Sequence, residues 1–404
     1  MINMKYLQIF LGILLISSCR EPAKNTIASI RHAVISDQSV SLGNDNNLFR
    51  AVQKNADGNY LLQLRVMPDS GSKEEKQYGV NYFLKMSPNG EVLGKKRISP
   101  DNFPEQYVET ADGFYGVTHD FDTMIPDGDN YLKKYDKDWN VIWSKKISKP
   151  GSPDATILLA LTNKKELLIV TNEIQLPRKP VLQYGVAIRR YTPDGKMIAE
   201  KFYAKKGLIN SVSLIEVADH NYLLSNLYLP GKLTEDMWLL KINNEGDTLW
   251  TKTYASFSPG QSLRLKDSGF LFYGTGYDCS DKKTDSCRFL TITKTDRYGN
   301  ILWKKEMRQN SSEKDGNVIE LANHHFFFAA VIQPAKDKIA TNYIFELDTD
   351  GKMVYDKKFD FPTNGYFVPL LIQGNKQVIM VSEKNISKFG DRFHDVIVIT
   401  KLAE

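Results

Sequence analysis

Six times, at intervals of about fifty residues, a strand-like run turns at a short polar corner and leaves through a second strand, often at an aromatic residue. The clearest copies are residues 237–250 and 289–303. The corners fall at Pro88-Asn89-Gly90, Lys137-Asp138-Trp139-Asn140, Pro193-Asp194-Gly195, Asn244-Glu245-Gly246, Arg297-Tyr298-Gly299 and Thr349-Asp350-Gly351. Five of these six contain Gly, which reaches the positive φ of a tight hairpin without a Cβ clash. Four residues past the corner stands Trp143, Trp250, Trp303 or Tyr355, replaced by Gly94 and Ala199 in two copies. Recurrence at a fixed phase marks these aromatics as packing wedges between neighbouring repeats. A second family of corners, at 56–60, 111–115, 163–167, 218–222, 266–270, 322–326 and 373–377, precedes each repeat's turn.

Two hairpins per fifty residues make a four-stranded unit that cannot cover its own faces, so units must stack. The sequence therefore predicts an all-β chain: a seven-bladed β-propeller of four-stranded antiparallel blades. Seven first corners face only six second ones, which leaves the last blade one strand short. The alternating stretch at 30–42 precedes blade one and is the candidate to supply it, closing the ring without an open edge. Residues 30–404 then form one domain. A single spherical core seldom serves so long a chain, but a ring of blades packed only on their neighbours escapes that limit. With 42% hydrophobic and 25% charged residues, the chain has an ordered globular composition, which excludes a disordered class. Its net charge of +5 is spread along the chain without a basic stripe, arguing against nucleic acid as a partner.

The first residues speak to destination. Lys5 precedes an apolar run at 6–16 that is short for a membrane span, and Ile16-Ser17-Ser18-Cys19 follows. This resembles the bacterial lipobox. The resemblance implies a signal peptide over 1–18, lipidation at Cys19, a tether over 19–29, and an anchor strengthened by about 0.8 kcal/mol per buried methylene. Arg20 stands where inner-membrane lipoproteins commonly carry Asp, so the resemblance points to the outer membrane. In that oxidising compartment, Cys279 and Cys287 are expected to form a disulfide contributing about 2–3 kcal/mol.

The phrase Lys-x-Asp-x-x-Gly-x-x-x-Trp, carried by Lys294, Asp296, Gly299 and Trp303, resembles the repeat of quinoprotein-like and WD40-like propellers, among them lipoproteins that act as noncatalytic scaffolds at the outer membrane. That likeness is a blade-building pattern and transfers no site. The Trp-Asp ending of WD40 strands is absent, and the sialidase Asp box is unsatisfied because the aromatic comes four rather than three residues after Gly.

Both recurrent corners are tight and share one face, so the variable connections gather on the other, where function is expected. First strands line the channel, and Arg50, Gln106, Tyr107, Gln261, Arg264 and Tyr366 are its candidate ligand contacts beside the alternative of plain channel lining. Asp120, Asp122, Asp127 and Asp129 crowd one loop and offer oxygens for Ca2+, or form a solvated acidic loop. His119 and His394 lie nearer the variable face; His220, His324 and His325 are corner residues. The chain lacks a Gly-x-Ser-x-Gly elbow, a His-Glu-x-x-His pair and a Walker loop. The expected role is a membrane-anchored, noncatalytic binding or scaffold module for a protein or cell-surface glycan. A propeller enzyme (glycan lyase, hydrolase or quinone-dependent dehydrogenase) and a subunit of an envelope assembly or export complex are the alternatives.

Overall fold

Each of the six second corners is built around one polar side chain that the repeat carries three residues before the positive-φ position. Ser87, Asp136, Thr192, Asn243, Asp296 and Asp348 all use a side-chain oxygen to accept the backbone N–H four residues on, and all but Thr192 also accept the one two residues on. Their carbonyls accept from the N–H of Gly90, Trp139, Gly195, Gly246, Gly299 and Gly351. These are side-chain-capped turns in which the short polar group replaces a missing backbone partner. Trp139 adopts φ 61° where the other five use Gly. It meets that strain by stacking between Phe83 and Phe114, with ring centroids 4.0 and 4.1 Å away.

The structure, a computed structural model, describes residues 34–40, 46–67, 79–120, 129–148, 155–175, 183–217, 220–229, 234–277, 288–307, 316–332, 340–363, 370–373, 377–389 and 392–403. Blade one contains β2 (Asn46–Lys54), β3 (Tyr60–Met67), β4 (Val80–Met86) and β5 (Val92–Ile98). Blade two has β6 (Gln106–Thr110), β7 (Gly113–Asp120), β8 (Asp129–Tyr135) and β9 (Val141–Lys146). Blade three has β10 (Ala155–Leu161), β11 (Leu167–Gln175), β12 (Gln183–Tyr191) and β13 (Met197–Lys205). Blade four has β14 (Leu208–Glu216), β15 (Tyr222–Leu229), β16 (Asp236–Ile242) and β17 (Thr248–Tyr254). Blade five has β18 (Phe257–Arg264), β19 (Phe270–Tyr277), β20 (Arg288–Thr295) and β21 (Ile301–Met307). Blade six has β22 (Gly316–Glu320), β23 (Phe326–Ile332), β24 (Ala340–Leu347) and β25 (Met353–Thr363). Blade seven joins β26 (Leu370–Gln373), β27 (Gln377–Phe389) and β28 (Arg392–Ala403) to β1 (Val34–Val40), in the order β1-β28-β27-β26. All pairings are antiparallel, and β1 takes the outer place on β28, from Val34 opposite Leu402 to Val40 opposite Ile397. The closing strand expected from the corner deficit is thus the strand observed.

Apolar burial follows the ring. Seven buried clusters each span two neighbouring blades, and one of them joins Tyr60, Leu62 and Leu64 of blade one to Ile372, Ile379 and Ile399 of blade seven. First strands adjoin first strands from blade two round to blade seven, which places them at the centre. At the circumference the wedges meet the next blade's corner. A Cβ at Gly195 would lie 2.8 Å from the Trp143 indole, and one at Gly351 would lie 3.1 Å from Trp303. Six residues past every corner position stands a lysine. Lys96, Lys145, Lys201, Lys252 and Lys305 each donate to the following blade's corner, at Asp138, Asp194, Asp247, Asn300 and Gly351.

All seven outer strands slip register at the corner end, and β25 slips a second time opposite Thr341 and Tyr343. The residue left unpaired at the corner end is aliphatic every time: Ile35, Leu93, Ile142, Ile198, Leu249, Leu302 and Val354. Such bulges re-aim a side chain and twist an edge strand away from edge-to-edge pairing.

Candidate functional site

Toward the end of the blades that bears the variable connections, the interior between blades becomes polar. Asn81, Thr118, Asn130, Asn172, Glu173, Asn226, Asp236, Thr275 and Thr291 are all buried there. A buried amide or hydroxyl is tolerated only with partners. Between blades three and four a hydrogen-bonded seam supplies them for Asn172 and Asn226. Asn172 donates to Asn210 at 2.8 Å and its Oδ1 accepts from the Ser211 backbone and hydroxyl, which also lies 2.9 Å from Asn226 Oδ1. Asn226 donates to the Trp238 carbonyl; on the opposite face of β15, a separate set has Ser262 of blade five donating to Ser225, which faces Ser213 at 2.7 Å. The seam ends at Asn210, exposed on the first strand of blade four.

Between blades two and three the same level is ionic. Arg189, 1% exposed, bonds Glu173 and Glu200 and donates to Thr171. It is the cross-strand partner of Glu200. Removing one member of a buried ion pair costs about 3–5 kcal/mol because the other stays charged and unmatched. Nearby in blade two, His119 Nδ1 lies 2.7 Å from Asn130 Oδ1. At blade four, Lys205 sits over the rings of Tyr228 and Trp238, 4.3 and 4.8 Å from their centroids, and burial lowers its pKa. Among the described residues no group of three or more His, Cys, Asp or Glu side chains is placed to hold a metal ion.

The sequence-derived candidates scatter over this frame. Arg50 is the unpaired residue where β2 slips register between Phe49 and Ala51. Gln106, half-buried, opens β6 at the variable end. Tyr107, its neighbour, points the other way, into the cluster of Phe83, Phe114 and Trp139, where burial drives its phenol far above the ordinary value. Gln261 follows the slip in β18 and accepts from the Val318 N–H of blade six at 2.9 Å, a tie between blades. Arg264 is exposed at the last position of β18, opposite Phe270 and beside the first corner, so it lies at the far end of the strand from the variable connections. That placement corrects the expectation that it enters from the variable face; the extra residue in β18 and the pairing with Phe270 set it there.

Asp120 pairs with Asp129 across β7 and β8. Asp129 engages Lys146 at 2.6 Å and Ser148 at 3.0 Å, and the Lys146 hydrogen bond lowers its pKa. Cys19, Cys279, Cys287, Asp122, Asp127 and Tyr366 lie outside the described residues. Sequence reasoning missed Asn172, Ser211, Asn226 and the Arg189 pairs. Each lies within a strand, and its partners stand on other strands 11 to 39 positions away.

No family model matches the chain, and no curated protein matches it. Among solved structures, the Pan2 WD40 domain of Neurospora crassa is 8% identical, with 92% of this chain and 96% of that chain covered and a TM-score of 0.47. Polysaccharide lyase Uly1 is 8% identical, with 96% and 95% covered and a TM-score of 0.45. A member of the duf4221 family from Bacteroides vulgatus is 11% identical, with 92% and 97% covered and a TM-score of 0.41. At this level none passes an activity or ligand to the present chain, and its fold rests on its own strand pairings.

Proposed function

We propose that this protein is a lipid-anchored binding module of the bacterial outer membrane, recognising a protein or a cell-surface glycan through the variable face of its propeller. Cys19 carries the lipid, and the ring presents the loops. The carrying observation is the seam from Asn172 through Ser211 to Asn226, a hydrogen-bonded polar layer between blades three and four that ends beneath the variable face at exposed Asn210. Such a layer keeps loop-bearing strand ends at fixed spacing while leaving donors and acceptors at the surface, which suits recognition of polar ligands. The opposite face is spent on construction, since its corner residues are tied to the next blade.

The test is a crosslinking pulldown from membranes with the full-length protein. A partner or glycan captured by the wild type should be lost about tenfold in Lys206→Glu with Asn210→Asp, both exposed on the variable side, but not in Lys137→Glu on the corner side. Equal capture by all three, or turnover of a polysaccharide or alcohol substrate by the purified protein, would overturn the reading.

A further inference from the structure

The direction of β1 decides which way the ring sits on its anchor. Val34, the first residue of β1, pairs with Leu402, at the level where Ile301 pairs with Thr295 beside the second corner of blade five. The chain therefore enters blade seven from the corner face and runs toward the variable face at Val40. Fourteen residues lie between Cys19 and Val34. A flexible chain of that length has a root-mean-square reach of about 20–23 Å. An eight-residue strand rises about 26 Å, so the tether's natural reach falls short of the blade height. Turning the variable face toward the bilayer would stretch the tether along the whole blade; turning the corner face toward it needs no stretching.

A second observation lies on the same side. The bulged aliphatic residues follow directly on the corners, and the six with described side chains are 41–58% exposed. Leu93 and Val354 belong to the blades that flank blade seven, and Ile35 takes the matching register position in β1 itself. A protein face that carries exposed aliphatic groups can seat them about 5–10 Å into the headgroup boundary of a bilayer.

We propose that the corner face, tilted toward blades one, six and seven, is the side that rests on the bilayer, with Leu93 and Val354 in the headgroup layer and the variable face turned away from the membrane. This rests on the lipid anchor at Cys19. The lipidated full-length protein, in phosphatidylethanolamine and phosphatidylglycerol vesicles and separately in detergent, is exposed to a lysine-acylating reagent that cannot cross membranes, and modification is read by mass spectrometry. Lys54 and Lys352, exposed beside corners of blades one and six, should be labelled at least threefold less in vesicles, while Lys206, exposed between β13 and β14 on the variable side, should be unchanged. Leu93→Asp with Val354→Asp should restore labelling of Lys54 and Lys352. Protein that fails to float with vesicles would sink the anchor and the orientation together. Flotation with Lys206 protected, or with all three lysines labelled as in detergent, would leave the anchor standing and overturn the orientation alone.

Discussion

Single charges in this protein are placed by the repeat and tuned by their neighbours. The basic residue one before the end of a third strand reaches the acidic residue of the same blade's first corner: Lys85 to Asp57, Lys134 to Asp112 and Lys294 to Asp267. Blade six reverses the polarity, with fully buried Glu346 accepting from His325 at 2.5 Å. The Lys85 and Lys134 hydrogen bonds hold the carboxyls of Asp57 and Asp112 down at about 2. A depressed folded-state pKa stabilises above the unfolded value near 4 and loses that contribution as pH falls toward 2. Because both carboxylates are largely exposed, each pair contributes about 1 kcal/mol or less. Asp57→Asn with Asp112→Asn should therefore unfold at lower denaturant than wild type at pH 7, with the gap closing between pH 4 and pH 2 in urea titrations. A gap that persists at pH 2 would rule out the ion pairs as its source.

At the scale of elements, what matters is how a corner and a wedge from adjacent blades share space. Gly351 holds φ +79°, and the Trp303 indole lies against it while donating to the Thr349 carbonyl at 2.9 Å. Gly351→Ala adds left-handed strain of about 1–2 kcal/mol together with a tight contact to the indole. Trp303→Ala forfeits part-buried packing worth about 2 kcal/mol. Since removing the indole makes room for the new methyl, the double variant should be less destabilised than the sum by about 0.5–1 kcal/mol. Strict additivity in a chemical denaturation cycle would mean that corner and wedge act independently. Local turn chemistry was legible here: Gly at the positive-φ position and Trp four residues later announce themselves. The capping Asp, Asn, Ser or Thr and the lysine six residues on recur at equally fixed phases, but their meaning lies in hydrogen bonds, and the lysines' partners sit in the next blade.

For the molecule as a whole, stability depends on closure, because each blade covers one face of the next and none has a core of its own. The β1 strand supplies the outer edge of blade seven, and a cluster of blade-one and blade-seven residues seals the seam. A chain lacking Val34–Val40 would leave β28 as an open edge ready to pair with another chain. It should unfold at lower temperature and associate in a concentration-dependent way by size-exclusion chromatography, and a peptide spanning residues 30–42 added in trans should reverse both. An unchanged monomer with an unchanged melting temperature would show that closure does not rest on this strand.

Blade number, corner geometry and the need for a closing strand were already determined by the sequence, because a hairpin's conformation is decided by four or five consecutive residues and the repeat counts them. Only the tertiary structure decided which side chains meet. Gln106 and Tyr107 both looked like channel contacts, yet neighbours on a strand face opposite ways, and one residue of register sends Tyr107 into the aromatic cluster. Arg264 looked like an entrance residue until its pairing with Phe270 put it at the exit. The seam joining Asn172, Ser211 and Asn226 ties blade three to blade four, and Ser262 ties blade five to Ser225 on the other face of β15, over separations of about forty residues that no local pattern encodes. Contacts between blades depend on how the ring stacks, and ring geometry is a property of the closed assembly, not of any one repeat.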